Sequence, residues 1–141
     1  MEKRGSMRNF TSQANHINDG AFQYYSRLKR VKDHVDQHYS EEISLEKAAQ
    51  IAATEKTYFS TFFRKKVGIT FTDWLRQLRV AKAIEILKTR NQSICDIAFE
   101  VGFGDLRSFE RAFKRYTHLT AREYKQSILP ERRSLETEPT Q

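Results

Sequence analysis

The stretch SLEKAAQIAATEKTYFSTFFRKKVGITFTDW, residues 44–74, recurs in altered form as SICDIAFEVGFGDLRSFERAFKRYTHLTAREY, residues 93–124. Both copies present the same features in the same order: a capping serine, an apolar stripe, a break, a second apolar stripe and a capping threonine. A shared order of this kind is not expected by chance. The chain therefore contains one small helical unit twice.

Each copy is predicted to form a short helix, a tight break and a second helix. The breaks fall at residues 53–55 and 102–105, and two helices joined by so short a connection form a helix-turn-helix. The predicted units span residues 44–69 and 93–119. The second helix of each unit is expected to bury residues at helical spacing: Phe59, Phe62 and Phe63 in the first, and Phe109, Ala112, Phe113 and Tyr116 in the second.

A long helix over residues 71–90 is predicted between the two units. Thr70 and Asp73 form a capping box at its start, and apolar residues follow at helical spacing: Trp74, Leu75, Leu78, Ala81, Ile84 and Leu87. A helix of this length spans about 30 Å. That is close to the roughly 34–36 Å between successive major-groove faces on one side of B-DNA.

The remaining segments lie before and after the two units and their linker helix. Residues 22–39 predict a leading helix with Tyr24, Leu28, Val31, Val35 and Tyr39 on one face, and a short last helix begins at Thr120. Residues 1–21 and 127–141 are expected to be flexible tails. The predicted fold is all-α: two helix-turn-helix units joined by a long linker helix, about seven helices in a single domain over residues 22–126.

Basic residues are concentrated in the middle of the chain. The 141 residues include 25 Lys and Arg against 18 Asp and Glu, a net charge of +7. Residues 45–92 carry ten basic and four acidic side chains, so +6 of that charge lies on the first unit and the linker. A folded basic segment favours a polyanionic partner. The single cysteine argues against a disulfide scaffold, and the absence of a long apolar run predicts a cytoplasmic protein that makes no membrane contact.

No catalytic or metal-binding site is supported by the residues that accompany each candidate side chain. His34 and His38 lie four residues apart and could bind zinc, but a third ligand at suitable spacing is missing, so a solvated helix face is favoured. Cys95 is interpreted as an inert small side chain. Because no nucleophile–base pair, phosphate loop or carboxylate pair is visible, we expect neither an enzyme nor a cofactor, and no metal site.

The stretch Arg79–Tyr124 resembles the C-terminal DNA-binding domain of AraC/XylS-type bacterial transcription regulators, and the resemblance extends over residues 25–125. The family pattern IA-x-x-x-GF, then F-x-R-x-FK, then G-x-[ST]-P-x-x-[YF] is met in the second copy at these positions: Ile97, Ala98, Gly102, Phe103, Phe109, Arg111, Phe113, Lys114, Thr120 and Tyr124. Three positions depart from the pattern. His118 and Ala53 replace common glycines, and Ala121 replaces a proline. At His118 we expect a different helix end within the same fold.

The resemblance implies two helix-turn-helix units that enter adjacent major grooves from one side of double-stranded DNA. It also implies a transcription activator with RNA polymerase as a partner. We expect the protein to act at the bacterial nucleoid and to bind DNA as a monomer. The start at Met1 favours a stand-alone short regulator over an excised output domain. The alternative function is a basic helical adaptor that binds an acidic protein or RNA.

The DNA-facing residues follow from removing the buried positions from each second helix. What remains forms a stripe at helical spacing, and arginine is the side chain best suited to paired contacts with guanine. The predicted base-reading residues are Lys56, Thr57, Ser60, Thr61, Arg64, Arg107 and Arg111. The predicted phosphate contacts are Lys65, Lys66, Arg76, Arg79, Lys114 and Arg115. The second copy is expected to read bases chiefly through its arginines, and the first copy more through DNA shape.

Overall fold

The structure, a computed structural model, describes residues 17–137, and these residues form only helices and their connections. The all-α prediction is confirmed. The predicted tail residues 1–16 and 138–141 lie outside the described residues. The helices are α1 (Ala21–Tyr24), α2 (Ser26–His38), α3 (Leu45–Ile51), α4 (Lys56–Val67), α5 (Phe71–Thr89), α6 (Ile94–Glu100), α7 (Leu106–Thr117) and α8 (Ala121–Thr137).

The helices enclose two separate hydrophobic cores. Helices α1–α4 and the first part of α5 form the first core, which includes Phe63 and Trp74. The later part of α5 packs with α6, α7 and α8 around Phe113 to form the second core. Each core corresponds to one copy of the repeat, and α5 is the linker helix that contributes to both.

Side-chain caps start the helices where the sequence places them. At four helix starts a serine or threonine hydroxyl accepts a hydrogen bond from the backbone N–H three residues later, at 3.0–3.1 Å. These caps satisfy N–H groups that have no partner within the helix. At α8 the capping box is complete, because Glu123 Oε1 also accepts from the Thr120 N–H at 2.9 Å. The capping residues are Ser44, Thr70, Ser93 and Thr120.

The predicted leading helix over 22–39 is wrong in one respect, because it is divided in two. Tyr25 has an extended backbone (φ −104°, ψ 115°) that separates α1 from α2. The break allows Phe22 to enter the first core, where its ring stacks on Trp74 with centroids 5.0 Å apart. Tyr24, predicted on the buried face, is instead 80% exposed. Eight helices replace the predicted seven within the part of the chain that the structure describes.

The linker helix buries Trp74, Leu75 and Leu87 of the predicted stripe but only partly buries the other three. Val80, Ala83 and Ile86 are buried, whereas Leu78 and Ile84 are only partly buried. At 100° per residue the face toward the second core is rotated around the helix axis from the face toward the first. A single stripe cannot describe a helix that packs on two cores.

The last helix is longer than the sequence predicts. Helix α8 continues through Pro130 to Thr137, so residues 127–137 are helical where a flexible tail was expected. Tyr124 and Ile128 pack against the second core, which carries the amphipathic face of α8 beyond the predicted boundary. None of the helices within residues 17–137 combines the length and the apolar character needed to cross a membrane.

The end of α7 does not differ from that of α4, contrary to expectation. Gly68 ends α4 with φ 109° and donates its N–H to Arg64 O at 2.9 Å. His118 ends α7 with φ 68° and donates to Lys114 O at 2.8 Å. Histidine therefore adopts the left-handed conformation that glycine usually supplies at a helix end.

Candidate nucleic-acid interface

Carboxylate caps begin the second helix of both units. Glu55 accepts hydrogen bonds from the N–H groups of Tyr58 and Thr57, each at 3.0 Å, at the start of α4. Asp105 Oδ1 accepts from the Ser108 N–H at 2.7 Å at the start of α7. Since these bonds favour the charged carboxylates, the pKa values of Glu55 and Asp105 are lowered, chiefly by the backbone N–H of Tyr58 and of Ser108 respectively. Both caps were missed in the sequence, where only the break was located.

In α4 the core fixes which side faces outward. Phe59, Phe63 and Val67 are fully buried, whereas Phe62, predicted to be buried, is only partly so. The opposite side carries the predicted stripe, in which Thr57, Thr61 and Arg64 are exposed and Ser60 is partly buried. Lys56 lies beside the stripe, and its Nζ is 3.1 Å from Glu46 Oε2 on α3. An exposed pair of this kind is weak, so it leaves the ammonium able to exchange partners.

In α7 the same arrangement carries more charge. Phe109, Phe113 and Tyr116 are buried, and Arg107, Arg111, Lys114 and Arg115 are exposed. The two second helices therefore present equivalent stripes. The first stripe is mainly hydroxyl-bearing and the second is mainly guanidinium-bearing.

The basic residues of α7 line an open groove of about 710 Å³. We call it the basic groove, and define it by its lining residues: Arg107, Glu110, Arg111, Lys114, Arg115, Thr120 and Arg122. Arg122, on α8, was not predicted. Periodicity within α7 could not reveal it, because it reaches the groove through the packing of two helices.

A smaller cleft of about 160 Å³ links the linker helix to α7. Arg76, Arg111 and Arg115 lie around it together with Ser108. Arg76 Nη1 is also 3.1 Å from Asp73 Oδ1 on the same helix. Arg76 on α5 therefore lies on the same surface as the basic residues Arg111 and Arg115 of the second unit.

Arg79, a predicted phosphate contact, binds backbone carbonyls within the protein. Its Nε donates to Tyr39 O at 2.8 Å and its Nη2 donates to Glu41 O at 2.7 Å. Burial, and to a lesser extent the neighbouring Arg76, lowers the pKa of Arg79. The guanidinium is committed to backbone carbonyls, a use that helical spacing within α5 could not predict.

Lys66, a further predicted phosphate contact, lies apart from the stripe. Two residues after Arg64, it lies about 200° around α4 from that side chain. Its Nζ is instead 5.3 Å from the centroid of the Tyr25 ring and 6.0 Å from that of Phe62. Lys65 is exposed beside the stripe and keeps its predicted place.

The remaining candidates lie elsewhere. The rings of His34 and His38 stack with centroids 4.5 Å apart, and His38 Nδ1 is 2.9 Å from Glu41 Oε2. Burial, followed by the nearby His38, lowers the pKa of His34. Within residues 17–137, His, Cys, Asp and Glu form no group of three or more that could hold a metal ion. Cys95 is an exposed free thiol in the first turn of α6.

Comparison with known proteins assigns the fold to a family. A family model described as a helix-turn-helix domain matches residues 48–127. The regulatory protein PocR of Salmonella typhimurium is 32% identical over 117 residues, which cover 83% of this chain and 39% of PocR. Uncharacterised helix-turn-helix regulators of Staphylococcus aureus are 29% identical over 99 residues, 70% of this chain and 13% of their own length. The chain thus spans well under half the length of these curated relatives.

Solved structures show the same architecture. The C-terminal domain of the two-component response regulator YesN from Fusobacterium nucleatum is 30% identical, with a TM-score of 0.65 over 69% of this chain and 95% of that domain. The DNA-binding domain of the transcriptional factor AdpA, solved with a target DNA, superposes with a TM-score of 0.69 at 24% identity, over 74% of this chain and 94% of that one. An AraC-type regulator from Chromobacterium violaceum shares the fold, with a TM-score of 0.67 at 18% identity, over 74% of this chain and 93% of that one. The chain belongs to the AraC-type family of helix-turn-helix DNA-binding domains.

Proposed function

We propose that this chain binds double-stranded DNA in a sequence-specific manner and regulates transcription, with α4 and α7 inserted into adjacent major grooves. One observation carries the proposal: the second helix of each unit buries equivalent aromatic residues and exposes an equivalent polar stripe. An ordinary amphipathic helix also has a polar outer face, but it gives no reason for two units to repeat that face in register.

The two stripes support different kinds of recognition. Arg107 and Arg111 can each pair bidentately with guanine O6 and N7 in the major groove. Thr57 and Thr61 offer hydroxyl and methyl contacts that discriminate less. We therefore assign most base reading to α7, and a larger share of shape recognition to α4. Arg64 is the one guanidinium on the α4 stripe and is assigned a base-reading role there.

The outer cations support phosphate binding. Lys65, Lys114 and Arg115 flank the stripes, and Arg76 lies between the units. Cations at these positions would fix the orientation of the protein on the duplex without reading sequence. Arg122 joins this set because it lines the basic groove.

The family and the architecture together support the finer assignments. Helices α4 and α7 lie on one chain and can each contact one half-site, so we infer that the protein binds DNA as a monomer. By the family resemblance we infer an activator that contacts RNA polymerase. The bacterial relatives and the proposed binding to DNA support a cytoplasmic protein that acts at the nucleoid.

The proposal is tested by comparing three ligands at about 150 mM salt: a duplex enriched from a random pool, the same duplex scrambled, and a structured RNA. We expect the enriched duplex to bind roughly 10³-fold more tightly than the scrambled one. Equal binding to all three would contradict sequence-specific DNA recognition. Tightest binding to RNA would favour a basic adaptor instead.

A further inference from the structure

The junction between the two units is built around Arg79. This residue lies on α5 between Leu78, which packs against the first core, and Val80, which is buried in the second. Its guanidinium reaches back to the end of α2, where it donates to the carbonyls of Tyr39 and Glu41 at 2.8 and 2.7 Å. Arg79 therefore fixes the linker helix to the first unit at a point outside both cores.

The second unit contacts the same carbonyl. A Cβ placed on Gly102, in the turn between α6 and α7, would lie 2.7 Å from Tyr39 O and 2.8 Å from Arg79 Nε. Only glycine permits so close an approach, and its φ of +108° also favours glycine. The turn of the second helix-turn-helix is thus packed directly against Arg79 and the end of α2.

The Tyr39 side chain completes this junction. It packs against both cores, and Lys82 Nζ lies 5.4 Å from its ring centroid. We call Tyr39, Arg79, Lys82 and Gly102 the inter-unit junction. It joins the first unit, the linker helix and the second unit at one place.

A single helix by itself would leave the two units free to bend and twist relative to one another. Two charge-assisted hydrogen bonds fix the planar guanidinium of Arg79 against the end of α2, because the fork sets the direction of each bond. Gly102 of the second unit packs on that same guanidinium and on the Tyr39 carbonyl, so either motion would disrupt this contact. Successive base pairs are about 3.4 Å apart along the duplex axis. A movement of that size between α4 and α7 would therefore change which half-site spacing the protein fits.

We propose that Arg79 is a positioning residue that sets the separation and rotation of the two recognition helices, and so determines the half-site spacing that the protein accepts. The spacing part of this inference rests on the proposed DNA-binding function. The geometric part does not, and the two are tested separately.

The geometric test needs no DNA. Spin labels are attached at Thr61→Cys and Glu110→Cys in a chain that also carries Cys95→Ser, and the distance distribution between the labels is measured. We expect Arg79→Met and Arg79→Lys to shift or broaden the distribution by about one base-pair step, 3.4 Å. Arg76→Met, which removes an exposed arginine three residues earlier, should leave it unchanged. An unaltered distribution in folded Arg79→Lys would overturn the proposal.

The spacing test uses the enriched duplex and versions with one base pair inserted or deleted between the half-sites. The unaltered protein should lose roughly tenfold or more in affinity on each altered duplex. Arg79→Lys, which keeps the charge but not the fork, should bind the three spacings within about threefold of one another. Arg76→Met should weaken binding to all three equally. Arg79→Lys with uniform loss and intact spacing preference would make Arg79 a phosphate contact.

Two further measurements keep the test decisive. Far-ultraviolet circular dichroism and a cooperative melt establish whether each variant is folded. If Arg79→Met does not fold, Gly102→Ala is used instead, because it alters the junction from the side of the second unit. Gly102→Ala should show the same loss of spacing preference, and retention of that preference would count against the junction. If the unaltered protein binds no duplex, the DNA-binding proposal fails while the label distances still decide the role of Arg79.

Discussion

At the scale of single residues, each repeat uses the left-handed backbone conformation at two equivalent positions. In the turn these are Ala53 (φ 59°) and Gly102 (φ 108°), and at the end of the second helix they are Gly68 (φ 109°) and His118 (φ 68°). Each copy therefore has glycine at one position and a residue with a Cβ at the other. The fold requires the conformation, and the Cβ is tolerated at a cost in free energy.

Replacing His118 with glycine should stabilise the protein. Relief of the left-handed strain is expected to raise the free energy of unfolding by about 1 kcal/mol. The measurement is urea denaturation, with a higher midpoint at an unchanged m-value. His118→Ala serves as the control and should give no gain, because it keeps the Cβ. A His118→Gly protein no more stable than the unaltered one would refute this interpretation of the helix end.

Arg111→Ala should weaken binding to the selected duplex by roughly 1–3 kcal/mol and relax the preference at one base position. The reason is the loss of a paired contact with guanine in the major groove. Fluorescence anisotropy on the selected site and on its single-base variants measures both effects. An equal loss on random DNA would instead show that Arg111 contacts phosphate.

Lys65 and Lys66 are adjacent on α4 and form a matched pair for measuring the electrostatic contribution to DNA affinity. Lys65→Ala should reduce the slope of log K against log salt by about one, because one phosphate contact and its released counterion are lost. Lys66→Ala should leave the slope unchanged, since its Nζ lies over the Tyr25 and Phe62 rings. Titration of both variants across a salt series checks this. Equal slope changes in the two variants would show that Lys66 also reaches the duplex.

At the scale of helices, the second helix of each unit differs from its neighbours in its cap. Carboxylates cap α4 and α7, whereas hydroxyls cap α3, α5 and α6. The bond from the Ser108 N–H lowers the pKa of Asp105. A lowered folded-state pKa means that this stabilisation is present above the ordinary value of about 3.9 and is lost as the pH falls through the folded value.

Asp105→Asn should therefore change how stability depends on pH. Asparagine keeps the capping oxygen but cannot ionise. The unaltered protein should melt at a higher temperature than the variant near neutral pH, and the difference should shrink as the pH falls below the ordinary carboxyl value of about 3.9. Thermal melts across this range provide the measurement. A difference that stays constant with pH would show that the Asp105 charge contributes nothing to stability.

The sequence predicts the helices well wherever one local signal sets their limits. The repeat register located the serine and threonine caps and both breaks, because an N-cap hydroxyl and an apolar stripe are encoded within a few residues. The division at Tyr25 could not be found in this way, since it depends on Phe22 packing on Trp74. The continuation of α8 past the predicted boundary at residue 126 likewise involves packing of Ile128 against the second core.

The candidate site shows the same division. Helical spacing was enough to place Arg107 and Arg111 on one exposed face. It failed for Arg79, whose hydrogen-bond acceptors lie about forty positions earlier in the chain. It also missed Arg122, which reaches the groove from the next helix. Where a helix packs on more than one neighbour, the exposure of its charged side chains depends on tertiary packing as well as on helical spacing.

At the scale of the whole molecule, charge and base-reading capacity lie in different places. Residues 45–92, the first unit and the linker, hold +6 of the net charge of +7. The arginines best suited to guanine lie in the second unit, along the basic groove. We infer that the first unit and linker supply most of the salt-dependent attraction, while α7 supplies most of the discrimination between sequences.

The two cores are joined by one helix and the inter-unit junction. We propose that this arrangement holds α4 and α7 as one rigid DNA-binding surface with one preferred spacing. The central claim is that both helices enter the major groove of the same duplex. It does not depend on which residue sets the spacing.

Selection of bound sequences from a random duplex pool tests this claim most directly. We predict two short motifs centred roughly 10–10.5 base pairs apart, with the more strictly defined motif lost when Arg107 and Arg111 are replaced by alanine. A single motif, or two motifs with no fixed separation, would contradict simultaneous insertion of α4 and α7.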